Sequence, residues 1–181
     1  FSKLNKLTGT NYSHEYYVEG SPTVADVYDG TAWRTILVGT LKAGGKSVFA
    51  LDITTPGSEK LLWEFDDSKL TSKTVKMGYS FSQPTIARLH SGKWAVVFGN
   101  GYESVGNTNG KAALFIVDAV TGALAKTLQV QGTDTVSNGL STPKLGDFNA
   151  DGVADYAYAG DLQGNMWRFD LMRDRSGPSP V

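Results

Sequence analysis

The stretch Gly146–Asp155, GDFNADGVAD, sets three aspartates and an asparagine at spaced positions around one glycine. The pattern reads D-x-N-x-D-G-x-x-D from Asp147 to Asp155. Carboxylates and amide carbonyls are hard oxygen donors, and calcium takes about six to eight of them. In a loop of this kind, positions 1, 3, 5, 7 and 9 face inward as the backbone curls round an ion. Here those positions are Asp147, Asn149, Asp151, Val153 (through its backbone carbonyl) and Asp155. Gly152, at position six, permits the sharp turn, and water would complete the shell. The expected ligand is Ca2+.

The match covers the first nine positions of an EF-hand loop and no more. A full EF-hand needs a bidentate glutamate at position 12 and a following helix. Position 12 is Tyr158, inside the strand-like run ADYAYAG. The expectation is a calcium loop on a β-hairpin, with Asp155 replacing the glutamate. The competing reading is an Asp/Asn-rich turn that caps its own backbone. Three carboxylates within a few ångströms repel one another unless neutralised, which favours the ion.

The elements that must position this loop come from a repeat. Glycine is frequent, at 21 residues, and β-type runs are short, which points to an all-β fold. One pattern occurs three times. Copy one runs GSPTVADVYDG, RTILVG, SVFALDI, KLLWEF; copy two runs SQPTIARLHSG, WAVVFG, ALFIVDA, ALAKTLQV. Copy three runs STPKLGDFNADG, ADYAYAG, NMWRFDL. Pro22, Pro84 and Pro143 begin the copies, Gly39, Gly99 and Gly160 end their second segments, and Asp52, Asp118 and Asp170 each sit near the end of their third.

Four short strands per copy is the content of one propeller blade. The expected architecture is a partial β-propeller of about three blades of four-stranded antiparallel sheet. Residues 1–20 read as the end of a preceding blade or a connector, and 21–171 as three blades (about 21–80, 81–140 and 141–171). The last of these is incomplete, and the polar, Pro/Gly-rich 172–181 reads as a linker. Proline at a strand start breaks no ladder bond. The glycines closing the second segments are expected to turn the chain with positive φ. TTPGSE and VTGA read as tight turns. Trp33, Trp63, Trp94 and Trp167 are expected to fill space between neighbouring sheets. Three blades cannot close a ring, so exposed edges would make the isolated arc poorly soluble or prone to pairing.

The other copies act as internal controls for the acidic loop. Copy one has Asp26 and Asp29 in a turn one residue shorter, without a third acid. Copy two has Arg88 and Lys93 near the same turn, where a metal is not expected. Asp52, Asp118 and Asp170 are expected to accept backbone N–H bonds from the turns that follow them. His14 and His90 stand apart in sequence from any Ser, Cys or acid constellation, so no catalytic residue is assigned.

Bulk composition narrows the function classes. Hydrophobic residues make up 40% of the 181 and aromatics 11%, enough for a packed core. The net charge of -1 gives no basic excess for nucleic acid. No apolar run is long enough to span a membrane. The absence of cysteine excludes disulfides and thiolate chemistry. The chain begins at Phe1 and reads as a mature fragment, with any targeting signal upstream.

GSPTVADVYDGTAWRTILVGTLKAGGKSVFALDIT and LSTPKLGDFNADGVADYAYAGDLQGNMWRFDL resemble the C-terminal propeller domain of the PilY/PilC family of type IV pilus-associated proteins. The resemblance covers nearly the whole chain. It implies a quinoprotein-like β-propeller at the bacterial cell surface, pilus tip, outer membrane or periplasm. It also implies roles in pilus biogenesis, in opposing retraction and in adhesion, with calcium regulating the pilus. The family's metal ligands fall on Asp147, Asn149, Asp151, Val153 and Asp155. The implied partners are pilus subunits, host or surface ligands, and the remaining blades of the same protein.

Two other functions compete. One is a quinone-dependent dehydrogenase-like propeller, suggested by FALDITTPGSEKLLWEF and FIVDAVTGALAKTLQV. It is disfavoured by the small blade number and by the lack of the vicinal disulfide often found there. The other is a calcium-insensitive structural scaffold.

Overall fold

The computed structural model describes residues 4–71, 75–102, 111–131 and 136–172. Eleven strands are described, in three antiparallel sheets that follow one another along the chain. The first sheet is β1 (Thr23–Tyr28), β2 (Trp33–Thr40), β3 (Val48–Asp52) and β4 (Lys60–Phe65), in that order. The second repeats it with β5 (Thr85–Arg88), β6 (Trp94–Gly99), β7 (Ala113–Asp118) and β8 (Leu124–Gln129). The third holds β9 (Lys144–Gly146), β10 (Tyr156–Gly160) and β11 (Met166–Asp170). These are three blades of a propeller, the third with three strands among the described residues.

The repeat extends to irregularities. A register shift falls at Ala50/Leu51 in the β3–β4 pairing and at Ile116/Val117 in the β7–β8 pairing. One rung also recurs between blades: the Thr23 hydroxyl donates to the Pro84 carbonyl at 2.7 Å, and the Thr85 hydroxyl to the Pro143 carbonyl at 3.3 Å. The prolines precede the first strand of each blade, so their carbonyls are free of the ladder and accept from the neighbour.

Packing follows from strand periodicity. Successive side chains point to opposite faces, and the middle sheet is covered on both. Val96, Phe98, Phe115 and Val117 pack with Ile36, Val38 and Phe65 of the first sheet. Val97, Leu114 and Ile116 pack with Ala157, Ala159 and Phe169 of the third. This is why WAVVFG and ALFIVD are near-continuous apolar runs, whereas β1 alternates between more and less exposed positions. Phe65, Phe98 and Phe115 form an aromatic triangle, with ring centroids 5.6–5.7 Å apart.

Three expectations are met in the turns. Gly57 and Gly122 carry positive φ, +81° and +71°, before the fourth strands. The Asp52 carboxylate accepts from the Thr54 amide at 2.9 Å, Asp118 from Val120 and Thr121, and Asp170 from Met172. Trp63 bridges two sheets, its indole N–H donating to the Ala119 carbonyl at 3.0 Å.

Two details differ. Gly39, Gly99 and Gly160 do not turn the chain; they lie inside β2, β6 and β10 and outside the left-handed region. At two of them the reason for glycine is close approach. A Cβ at Gly39 would meet the Phe49 ring, and one at Gly99 would collide with the Leu140 and Ser141 carbonyl oxygens. Trp33 is 61% exposed rather than buried between sheets, touching Trp94 edge-on at 6.0 Å.

Candidate metal-binding loop

The acidic loop joins β9 to β10, the first and second strands of the third sheet. Its backbone takes positive φ twice, at Ala150 (+59°) and Gly152 (+82°). Glycine enters that region freely, whereas alanine is strained there. The two left-handed residues curl the loop so that its odd-numbered side chains interlock. Asp147 accepts from the amides of Asp151 (3.2 Å) and Gly152 (2.8 Å). The Asn149 side-chain oxygen also accepts from the Asp151 amide, at 3.3 Å, while its NH2 donates to Asp151 Oδ2 at 2.9 Å. Asp151 Oδ1 in turn accepts from the Val153 amide at 2.9 Å. Phe148, at an even position, projects outward and is 88% exposed.

Asp155 differs from the rest of the set. Asp147, Asn149 and Asp151 are exposed, but Asp155 is 3% exposed. A buried carboxylate needs partners, and Asp155 has one on each oxygen. Oδ2 accepts from the Phe148 amide at 2.7 Å, and Oδ1 lies 2.8 Å from His90 Nε2. The Phe148 amide lowers its pKa below the ordinary value; burial opposes this, and the His90 bond adds to the lowering. The Asp155 amide and carbonyl are also engaged, with the Gly146 carbonyl and the Leu171 amide.

The loop is docked on the second blade. Val153 forms a parallel bridge with Arg88, and the Ala154 amide donates to the Arg88 carbonyl at 2.9 Å. Contrary to the sequence reading, His90 does not stand apart from acidic groups. The β5–β6 turn brings it against Asp155, 65 residues further along the chain. Nothing local in the sequence signals this pair. Only the stacking of one blade on the next creates it. His14 keeps to its neighbourhood, with its ring edge-on to Tyr16 at 4.6 Å.

The donor set fits a hard divalent cation chemically. It consists of oxygens alone, and no lysine or arginine lies between Gly146 and Asp155. Among the described residues, no three His, Cys, Asp or Glu side chains are grouped as a ready metal cluster. The loop set depends on the Asn149 amide and the Val153 carbonyl beside its carboxylates. Asp147 and Asp151 turn their oxygens to loop amides, and those bonds hold the curl of the loop.

Residues 1–180 match the PilY1 beta-propeller domain family. The chain belongs to this family. It is 55% identical over 183 residues to a type IV pilus biogenesis factor PilY1 of Pseudomonas aeruginosa UCBPP-PA14, covering 99% of this chain and 15% of that protein. A PilY1 homolog of Xylella fastidiosa is 40% identical over 189 residues, covering 98% of this chain and 12% of the relative. The crystal structure of the Pseudomonas aeruginosa PilY1 C-terminal domain superposes with a TM-score of 0.78 at 59% identity. That match covers 86% of this chain and 31% of the solved one. The chain therefore spans a small part of the PilY1 proteins it resembles, and its three blades correspond to part of their propeller.

Proposed function

We propose that this chain is the calcium-binding propeller module of a type IV pilus biogenesis protein acting outside the cytoplasm, at the bacterial surface or pilus tip. The relatives' naming as pilus biogenesis factors supports the pilus role. We assign it no catalysis: its part is to bind, with pilus subunits or surface ligands as the partners. Residues 1–20 belong on this reading to a preceding blade or connector; the linker expected at 172–181 lies, from residue 173 on, outside the described residues.

The observation that carries the calcium reading is the composition of the β9–β10 loop. Three carboxylates lie within nine residues with no cationic side chain among them. Asp147, Asn149, Asp151, the Val153 carbonyl and Asp155 would hold the ion. Bound calcium supplies the positive charge that the loop itself lacks. The chain's own residues do the rest. Ala150 and Gly152 fix the curl, and the amides of Asp151, Gly152 and Val153 orient the carboxylates. The Arg88–Val153 bridge passes the loop's order to the second blade. Calcium occupancy on this account firms the contact between the last two blades, and so the surface offered to a partner.

The test is thermal unfolding of the intact protein with and without calcium, comparing wild type with Asp151→Ala. The melting temperature rises with calcium in wild type and does not rise in the variant. An equal rise in both would remove the loop from the account.

A further inference from the structure

We propose that His90 is a positioning residue for the calcium loop, reaching across from the second blade to hold Asp155 in the orientation in which it serves as a ligand. This rests on the calcium reading above.

The geometry is specific. His90 Nε2 is 2.8 Å from Asp155 Oδ1. An ionised carboxylate only accepts hydrogen bonds, so Nε2 carries the proton. The backbone that carries the imidazole is held in place by its turn. Leu89, beside it, is buried in the core between the second and third sheets. The Leu89 amide donates to the Lys93 carbonyl and the Gly92 amide to the Leu89 carbonyl, closing the turn with Gly92 at φ +80°. From this turn the ring brings one donor to one oxygen.

Asp155 needs such a partner more than the other ligands do. On the calcium reading it stands in for a bidentate glutamate, and it sits at the end of the loop, where the chain enters β10. The Phe148 amide restrains its other oxygen from within the loop. His90 is its only side-chain hydrogen-bond partner among the described residues, and it comes from a different blade. A carboxylate oxygen that accepts one hydrogen bond keeps a lone pair for a cation. His90 and a metal ion therefore act on Asp155 together rather than in exclusion. Outer partners of this kind fix ligand orientation, and removing one typically lowers metal affinity roughly 10–100-fold.

The consequence is a link between blades that runs through a side chain. Arg88 and His90 lie on one short segment of the second blade. The first bridges Val153 and the second holds Asp155, so two of the five ligand positions are set by the neighbouring blade.

The experiment is titration of calcium into the intact protein, by calorimetry, for wild type, His90→Ala, His90→Gln and Asp151→Ala. Melting of each variant in chelator serves as the folding control. The expected result is binding lost in Asp151→Ala and weakened roughly 10–100-fold in His90→Ala. His90→Gln, whose amide N–H can donate in place of Nε2, recovers most of the affinity. Affinity in His90→Ala equal to wild type would overturn the proposal while leaving the calcium reading intact. So would an affinity loss in His90→Ala that tracks a lowered melting point in chelator and is not recovered by His90→Gln. Absence of a loop-dependent calcium signal in wild type would instead overturn the calcium reading itself, and this proposal with it.

Discussion

Two first-to-second-strand connections in this molecule are acidic, and they solve the same electrostatic problem differently. In the first blade, Asp29 accepts from the amides of Thr31 and Ala32, and Arg34 spans it and Asp52. The turn carries its own cation. In the third blade, Asp147, Asp151 and Asp155 have amides, the Asn149 side chain and one imidazole, and, among the described residues, no guanidinium or ammonium. The propeller can thus close this hairpin without a metal when an arginine is built in. Where the arginine is missing and a third carboxylate is present, the proposed calcium ion brings the charge from solution. The comparison teaches that the acid count alone does not mark the site. The marker is acid without an internal counter-charge.

The comparison breaks most decisively at Asp151. In wild type, calcium at about 100 times its Kd stabilises the folded state by about 2.7 kcal/mol, and Asp151→Ala loses that increment. Calcium-dependent melting curves measure it. A second substitution sharpens the contrast by copying the first blade's solution. Asp151→Arg supplies an internal cation beside Asp147, and the melting point should then become nearly independent of calcium.

The reverse change, Arg34→Ala, removes the internal cation from the first blade. It lowers the melting point in chelator, because Asp29 and Asp52 face each other without it. Arg34 is itself 40% exposed, and Asp29 and Asp52 keep their amide bonds without it, so the effect is moderate, and the calcium-induced rise stays as in wild type. A restored melting point on adding calcium would mean that the first turn has become a site as well.

Acid gives the smallest and most graded contrast. The Ala32 amide first, then Arg34, holds Asp29 at about 2. The Thr54 hydroxyl and amide, then Arg34, do the same for Asp52. At Asp161 burial opposes the charge, but hydrogen bonds from the Trp167 indole and the Asn165 and Asn138 side chains still bring it to about 2. All three lie below the ordinary value of 3.8. A depressed carboxylate stabilises the fold fully above its unfolded pKa and loses that contribution as the pH falls through the folded one. In calcium-free buffer, stability should therefore hold above about pH 4 and decline between about pH 4 and pH 2. Chemical denaturation across that range reads it directly.

The fold was legible because its anchors recur at equivalent places in every blade. Pro22, Pro84 and Pro143 mark the first strands, and Asp52, Asp118 and Asp170 do cap the turns they precede. The purpose of Gly39 and Gly99 was not legible. Sequence shows that a side chain is absent but not which neighbouring atoms exclude it, and here those atoms are the Phe49 ring and two carbonyls of the next blade. The loop was legible as a donor pattern because its oxygen donors are local in sequence. His90 was not, because its partner lies 65 residues away and the pair exists only once two blades have stacked. Trp33 escaped for a related reason: the alternation of a strand gives its two faces, but not whether a neighbouring blade covers the ring at its end.

The most direct test of the central claim is the stoichiometry of calcium binding to the intact protein, measured calorimetrically before and after Asp151→Ala. The account predicts that the variant binds one calcium ion fewer per chain while still unfolding cooperatively in chelator. An unchanged stoichiometry would show that the β9–β10 loop balances its carboxylates with backbone amides alone, and the calcium account would fall.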